Sequence, residues 1–127
     1  MYLNMLKSKI HRAVVTEANI HYVGSITIDA ELMDAAGLHE YELAHVVDIN
    51  NGNRLETYIV AGPRGMGDIC LNGAAARLMY VGDKIIIMSY CQIDDNSVSE
   101  HKPKIVFVDK NNSIIEIESY EKHGEIK

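Results

Sequence analysis

No apolar run in the chain approaches the roughly 18 residues that a membrane-spanning helix needs. The start carries charge within its first dozen residues, without the basic start, apolar centre and small-residue cleavage site of a signal peptide. A cytoplasmic protein with no membrane partner is the expectation. Cations are scarce: 12 Lys and Arg stand against 18 Asp and Glu, a formal net charge of −6, and no basic stripe gathers them. That balance disfavours a nucleic-acid partner, because neutralising phosphates takes clustered cations. It leaves an anionic small molecule open, since one Arg and one Lys converging at short range outweigh distant, screened charge. Cysteine is nearly absent. Cys70 and Cys91 both lie in apolar β-prone runs and read as buried reduced thiols, not as a disulfide or a zinc site. The six His residues lack a metal-ligand spacing, so no metal is expected. Internal repeats and low-complexity segments are lacking too.

What is present is a single domain's worth of short β-prone runs. At 127 residues, with 47% hydrophobic and 24% charged residues, the chain has the composition of a globular domain. Such a domain buries roughly two thirds of its unfolded surface. Leu6 to Val15 reads as a strand, with Lys7, Lys9 and His11 on one face and Ser8, Ile10 and Arg12 on the other. Ile26 to Asp29 is a further strand, and Glu31 to Ala36 a helical turn or two stopped by Gly37. Glu42 to Ile49 and Arg54 to Val60 flank Asn50-Asn51-Gly52-Asn53, and Asn-Gly is the strongest short hairpin signal. Ala61 to Gly67 reads as a glycine-rich loop and Ile69 to Leu71 as a short strand. Asn72 is then placed to cap a short helix from Gly73 to Met79. Lys84 to Ile93 is the longest β-prone run and the expected centre of the sheet. Asp94 to Pro103 is polar and loop-like, Lys104 to Asp109 pairs with Ser113 to Ile117, and the charged end from Glu118 to Lys127 is expected to fray. Many short strands with two short helices predict a mainly β fold, a small β-barrel.

The chemistry gathers around Tyr22-Val23-Gly24-Ser25-Ile26-Thr27-Ile28-Asp29. The Ser25 hydroxyl lies one five-membered ring away from the Gly24 carbonyl, and Gly24 lacks the Cβ that would block strained backbone there. An N→O acyl shift makes an ester at that bond. Elimination from the ester breaks the chain and leaves a dehydroalanine, which hydrolyses to a pyruvoyl group with loss of ammonia. Alone, Gly-Ser is an ordinary turn. Its company is more specific: Lys7-Ser8-Lys9-Ile10-His11-Arg12 and Val15-Thr16-Glu17-Ala18 before it, then Asn51-Gly52-Asn53-Arg54-Leu55-Glu56-Thr57-Tyr58. Gly62-Pro63-Arg64-Gly65-Met66-Gly67, Asn72-Gly73-Ala74-Ala75-Ala76-Arg77 and Val81-Gly82-Asp83-Lys84 follow. In order and spacing, from about Met5 to about Ile93, these motifs resemble the pyruvoyl-dependent aspartate 1-decarboxylases.

The resemblance implies a six-stranded double-psi β-barrel, assembled as a homotetramer with sites between subunits. It implies cleavage between Gly24 and Ser25 into a β chain (1–24) and an α chain (25–127). It also implies conversion of L-aspartate to β-alanine and carbon dioxide for pantothenate biosynthesis. Decarboxylating an α-amino acid leaves a carbanion at Cα that needs a conjugated electron sink. A pyruvoyl carbonyl formed from Ser25 provides one through a Schiff base, in place of pyridoxal phosphate and without a metal.

By the same likeness Arg54 binds a substrate carboxylate and Tyr58 donates the proton to Cα, a role open to a phenol, which stays protonated at neutral pH. Four apart on one strand, the two share a face; a solvated Arg and a barrel Tyr are the plain alternative. Thr57, on the opposite face by strict alternation, is implied in both self-processing and substrate contact, where its hydroxyl would stabilise the oxyanion on Gly24. Asn72, Gly73, Ala74 and Ala75 are implied as substrate contacts, with Asn72 also at the processed site. Their small side chains free backbone N–H groups for an anion, or simply make a tight turn. Lys9 is either a surface lysine or a second cation, and His11 and Tyr22 are hydrogen-bonded neighbours. Two rivals stand beside this reading: a non-catalytic barrel that binds a ligand or protein and never cleaves, and a DNA-binding regulator.

Overall fold

A computed structural model describes residues Met1–Lys127. Nine strands run β1 (Tyr2–Val14), β2 (Glu17–Asn19), β3 (Ser25–Asp29), β4 (Leu43–Asp48), β5 (Arg54–Gly62), β6 (Ile69–Asn72), β7 (Lys84–Asp94), β8 (Lys104–Val108) and β9 (Ile114–Glu118). One α-helix, α1 (Ala30–Ala36), follows β3, and two short 3-10 turns cover Gly73–Arg77 and Asp95–Glu100. The strand order is β2-β6-β3-β5-β4-β7-β1-β8-β9. Most neighbours are antiparallel, but β2 with β6, β3 with β5 and β1 with β8 are parallel. The fold is therefore mainly β, consistent with a β-barrel. None of its helices is long and apolar enough to cross a membrane.

Side chains from nearly every strand meet in one cluster of 19 buried apolar residues, among them Ile10, Ile26, Ile28, Ile59, Leu71 and Ile87. Each such side chain contributes on the order of 1.5–3 kcal/mol by leaving water. Helix α1 adds Leu32, Met33 and Ala36. Asp29 caps it by accepting from Glu31 N–H at 2.9 Å. Gly37 ends it at φ 71°, with its N–H donated to the Asp34 and Met33 carbonyls. The β4–β5 hairpin closes as expected, pairing Leu43 with Tyr58 through Val47 with Arg54.

Several boundaries differ from the sequence expectation. The longest strand is β1, thirteen residues against eleven in β7. It stays paired by slipping register after Leu6 and again after Ile10. Arg12 sits at the second slip with φ 65°, so Ala13 takes the buried place that strict alternation gives to Arg12. Strand β5 runs on to Gly62, because Ala61 and Gly62 pair with Ile28 and Asp29. The polar stretch after β7 holds a 3-10 turn, capped by Asp94 accepting from Asn96 N–H. Cys70 is buried, whereas Cys91 is only half-buried; both are free thiols.

The charged end does not fray. Lys127 Nζ reaches Glu116 at 2.6 Å and Glu118 at 2.8 Å on β9 and lies 4.8 Å from the Phe107 ring centre. The segment after β9 thereby folds back over Lys9 and His11 on β1.

Candidate active site

Ser25 opens β3, held between two strands: Asn72 of β6 lies directly across from it, and β5 pairs in parallel with Ile26 onward on the other side. The residues before it, from Tyr22 to Gly24, are exposed, while Ser25 is only 3% exposed. The Gly24–Ser25 bond thus joins an open loop to a packed strand. Ser25 has φ 145°, a region L-residues rarely occupy and one that persists only where surrounding structure enforces it. The backbone strain expected at Gly24 therefore lies one residue later. Gly24 has no positive φ, and a Cβ added to it would meet nothing within 4 Å.

Two neighbours enforce the geometry. Gly73 has φ 65°, and a Cβ there would lie 3.0 Å from Gly24 Cα and 3.1 Å from both Gly24 N and the Tyr22 carbonyl oxygen. Only glycine lets the two backbones approach this closely. Asn72, 5% exposed, donates from Nδ2 to Ser25 Oγ at 3.0 Å and to Thr27 Oγ1 at 2.9 Å, while its Oδ1 is buried without a partner. This use of the side chain replaces the expected cap: Asn72 makes no capping bond, and Gly73 to Arg77 wind into a 3-10 turn instead of an α-helix. Sequence reasoning missed Thr27. Its signal was available, since residues two apart on a strand share a face.

A cavity of about 220 Å³ opens on this point, lined by Gly24, Ser25, Leu55, Glu56, Thr57, Asn72, Ala74, Ala75 and Leu78. Burial alternates along β5, with Leu55, Thr57 and Ile59 more buried than Arg54, Glu56 and Tyr58. Thr57 lines the Ser25 cavity beside Leu55 and Glu56, while Arg54 and Tyr58 do not. Arg54 lines an adjoining hollow that shares Leu55 and Glu56 with the first. Tyr58 is 36% exposed and rests against Tyr41, ring centres 6.1 Å apart.

Lys9 and His11 lie elsewhere. Both line a separate cavity under the folded-back end, where Lys9 Nζ meets Glu121 at 3.2 Å and His11 Nε2–H donates to the Lys127 carbonyl at 2.9 Å. Burial holds the His11 pKa below its ordinary value, against the opposing pull of that carbonyl, with Lys9 and Arg12 adding to the depression. Tyr22 is exposed, and its hydrogen bond runs from the backbone N–H to the Asn19 carbonyl at 3.4 Å. One chain thus brings Gly24, Ser25, Thr57, Asn72, Ala74 and Ala75 to one cavity, with Gly73 packed against Gly24 behind it, but leaves Lys9, Arg54 and Tyr58 outside that cavity. No group of three or more His, Cys, Asp and Glu side chains is arranged to hold a metal ion.

Comparison with known proteins agrees over the whole length. The family model described as aspartate decarboxylase matches residues 1–115. A protein of Clostridium kluyveri named aspartate 1-decarboxylase is 64% identical over all 127 residues, covering both chains completely. Proteins of the same name are 62% identical in Caldicellulosiruptor saccharolyticus, covering 98% of each chain, and 60% identical in Clostridium acetobutylicum, covering 99% of each. A computationally designed protein overlaps 68% of this chain and 99% of its own at TM-score 0.43 and 17% identity, too loose to bear on the fold.

Proposed function

The chain belongs to the aspartate decarboxylase family, and from that membership we propose that it converts L-aspartate to β-alanine and carbon dioxide, for pantothenate biosynthesis, with a pyruvoyl group made from its own Ser25. The observation that carries this reading is the state of Ser25: buried, at a strained φ, with a buried amide N–H on its oxygen.

The side chains that the cleavage step calls on all lie in this chain. Ser25 Oγ attacks the Gly24 carbonyl carbon, the hydroxyl proton passes to the Ser25 nitrogen, and the C–N bond gives way to an ester. Thr57, facing the same cavity, is the donor available to the oxyanion formed on the way. Loss of the residue-25 Cα proton to water then breaks the Cβ–Oγ bond, and Gly24 leaves as a carboxylate. Hydrolysis of the remaining enamine releases ammonia. The residues present fit the product: a pyruvoyl group carries only carbonyl acceptors, and the Asn72 Nδ2–H that donates to Ser25 Oγ lies beside residue 25 to meet one.

When formed, the pyruvoyl group supplies the electron sink that pyridoxal phosphate supplies elsewhere. The chain's own side chains do the rest. Arg54 and Lys9 bind substrate carboxylates, Gly73, Ala74 and Ala75 offer backbone N–H groups with Asn72 beside them, and Tyr58 returns a proton to Cα. The Ser25 cavity has no Lys or Arg in its lining and carries Glu56, so a dicarboxylate held there needs cations from outside it. That need favours sites between the subunits of a homotetramer; the family resemblance adds a six-stranded double-psi barrel, a cytoplasmic setting and turnover without added pyridoxal phosphate or metal.

Denaturing mass spectrometry after prolonged warm incubation tests the reading. The folded chain should appear as pieces of 24 and 103 residues, and Ser25→Ala should stay whole. A folded parent chain that yields only the intact mass would leave the non-catalytic barrel in its place.

A further inference from the structure

We propose that Thr27 is a positioning residue for chain cleavage, its hydroxyl fixing the Asn72 carboxamide so that one N–H stays on the Ser25 oxygen. The inference rests on the self-processing function proposed for Ser25 and adds a residue to it. A buried carboxamide is normally oriented by bonds at both ends. Asn72 is not: its Oδ1 has no partner, so its orientation depends on two N–H bonds, to Ser25 Oγ and to Thr27 Oγ1. Without the second bond, the carboxamide is tethered through Ser25 alone and can swing away from the plane that sets its N–H on Oγ. The serine oxygen would then keep that donor for only part of the time.

Thr27 is itself firmly held. It pairs with Val60 on one side and Cys70 on the other. Its Cγ2 lies 2.9 Å from where a Cβ on Gly62 would stand, so its methyl fills the space that glycine leaves. A β-branched side chain pinned by its methyl has one χ1 open to it, and here that rotamer aims Oγ1 at Asn72.

The N–H matters because of what becomes of the Ser25 oxygen. When the Cβ–Oγ bond breaks, that oxygen departs with the bonding pair as part of the Gly24 carboxylate, and a fixed donor there stabilises the developing charge. An N–H on Oγ also leaves the serine proton free to go to the amide nitrogen that must receive it.

Thr27→Val keeps the branched shape and removes only the hydroxyl, while Thr27→Ser keeps the hydroxyl and removes the methyl. With circular dichroism confirming that each variant is folded, the rate of appearance of the 103-residue piece is followed by mass spectrometry. Thr27→Val should slow cleavage by about 10- to 100-fold, less than the roughly 10²–10³ for outright loss of an oxyanion donor, because the Asn72 N–H is loosened and not removed. Thr27→Ser should cleave faster than Thr27→Val and somewhat slower than the parent, since the hydroxyl survives while the methyl that pins it is gone, a partial rescue that a packing role would not give. If Thr27→Val does not fold, Thr27→Ala takes its place with the same expected slowing. Parent-like cleavage by the hydroxyl-free variant overturns the proposal, as does Thr27→Ser slowed as much as Thr27→Val. A parent chain that never cleaves sinks the self-processing reading first, and this inference with it.

Discussion

A serine hydroxyl attacks its own chain only where the backbone is already bent toward the product, and at Ser25 that bend is held by contact. Gly73 is one of the restraints, and it leads to a direct expectation. Gly73→Ala puts a methyl about 3 Å from Gly24 Cα and imposes a side chain on a φ of 65°. Both effects push the Tyr22–Gly24 loop away, so the variant should fold yet cleave much more slowly than the parent, visible as intact mass at times when the parent is fully cut. Tyr58 separates cleavage from turnover. Its ring lies outside the Ser25 cavity, so Tyr58→Phe should cleave nearly normally. Turnover should fall by on the order of 10²–10⁴, the usual range for a positioned general acid, while aspartate still binds through its carboxylates. A Tyr58→Phe enzyme that cleaves fully and turns over at the parent rate would remove Tyr58 from the mechanism. The part of this site that was legible depends on residue types at fixed spacings, Gly-Ser and Asn72 to Ala75, whereas Arg54 and Tyr58, paired by their spacing, lie outside the Ser25 cavity. The location of the strain was not legible, since φ at Ser25 is set by the packing of Gly73, which lies 48 residues away in the chain.

At the scale of the elements, short-range signals decided what could be read. The β4–β5 hairpin and the stop of α1 follow from Gly52 and Gly37, both at positive φ where turn and cap require it. What failed was strict alternation along β1, because a register slip is a property of the partner strand as much as of the strand itself. The Asn72 cap failed for a related reason: two hydroxyls on β3 compete for its side chain and win. The hairpin also carries a charge conflict. Asp48 is buried at the end of β4, its Oδ1 accepting from Asn50 and Asn51 N–H while Oδ2 has no partner. Burial, followed by the neighbouring Asp83 carboxyl, raises its pKa above the ordinary 3.8. The folded state therefore holds a proton that the unfolded chain releases, and stability falls as pH rises through the window above that value. Asp48→Asn keeps an acceptor for the two N–H groups and removes the charge. It should raise the Tm at pH 7 by a few degrees and by less at pH 4; an equal gain at both values would mean that titration of Asp48 is not the cause.

For the whole molecule, the question is how a dicarboxylate finds its cations when the Ser25 cavity supplies none. Lys9 lines a different cavity of the same chain, and in the isolated chain Glu121 holds it at 3.2 Å. Glu121 is 47% exposed against 16% for Lys9, so water can take over its carboxylate when Lys9 turns to another copy, and the release leaves no buried charge unpaired on the acidic side. If the sites lie between copies, Ser25 and Lys9 of one site belong to different chains, and two inactive chains should complement each other. Lys9→Ala should weaken turnover at low aspartate by about tenfold or more, the scale of one charge-assisted hydrogen bond, and Ser25→Ala should abolish it. Mixed at random in one assembly, about a quarter of the sites should combine an intact Ser25 from one chain with an intact Lys9 from its neighbour. Co-expressed chains should therefore exceed the activity that the same amount of Lys9→Ala protein gives alone. If both residues serve from one chain, no mixed site regains the pair, and the co-expressed sample should show only the diluted activity of the Lys9→Ala protein. That result would place Lys9 and Ser25 of one site in the same chain, with Arg54 in the adjoining hollow as a second cation from that chain.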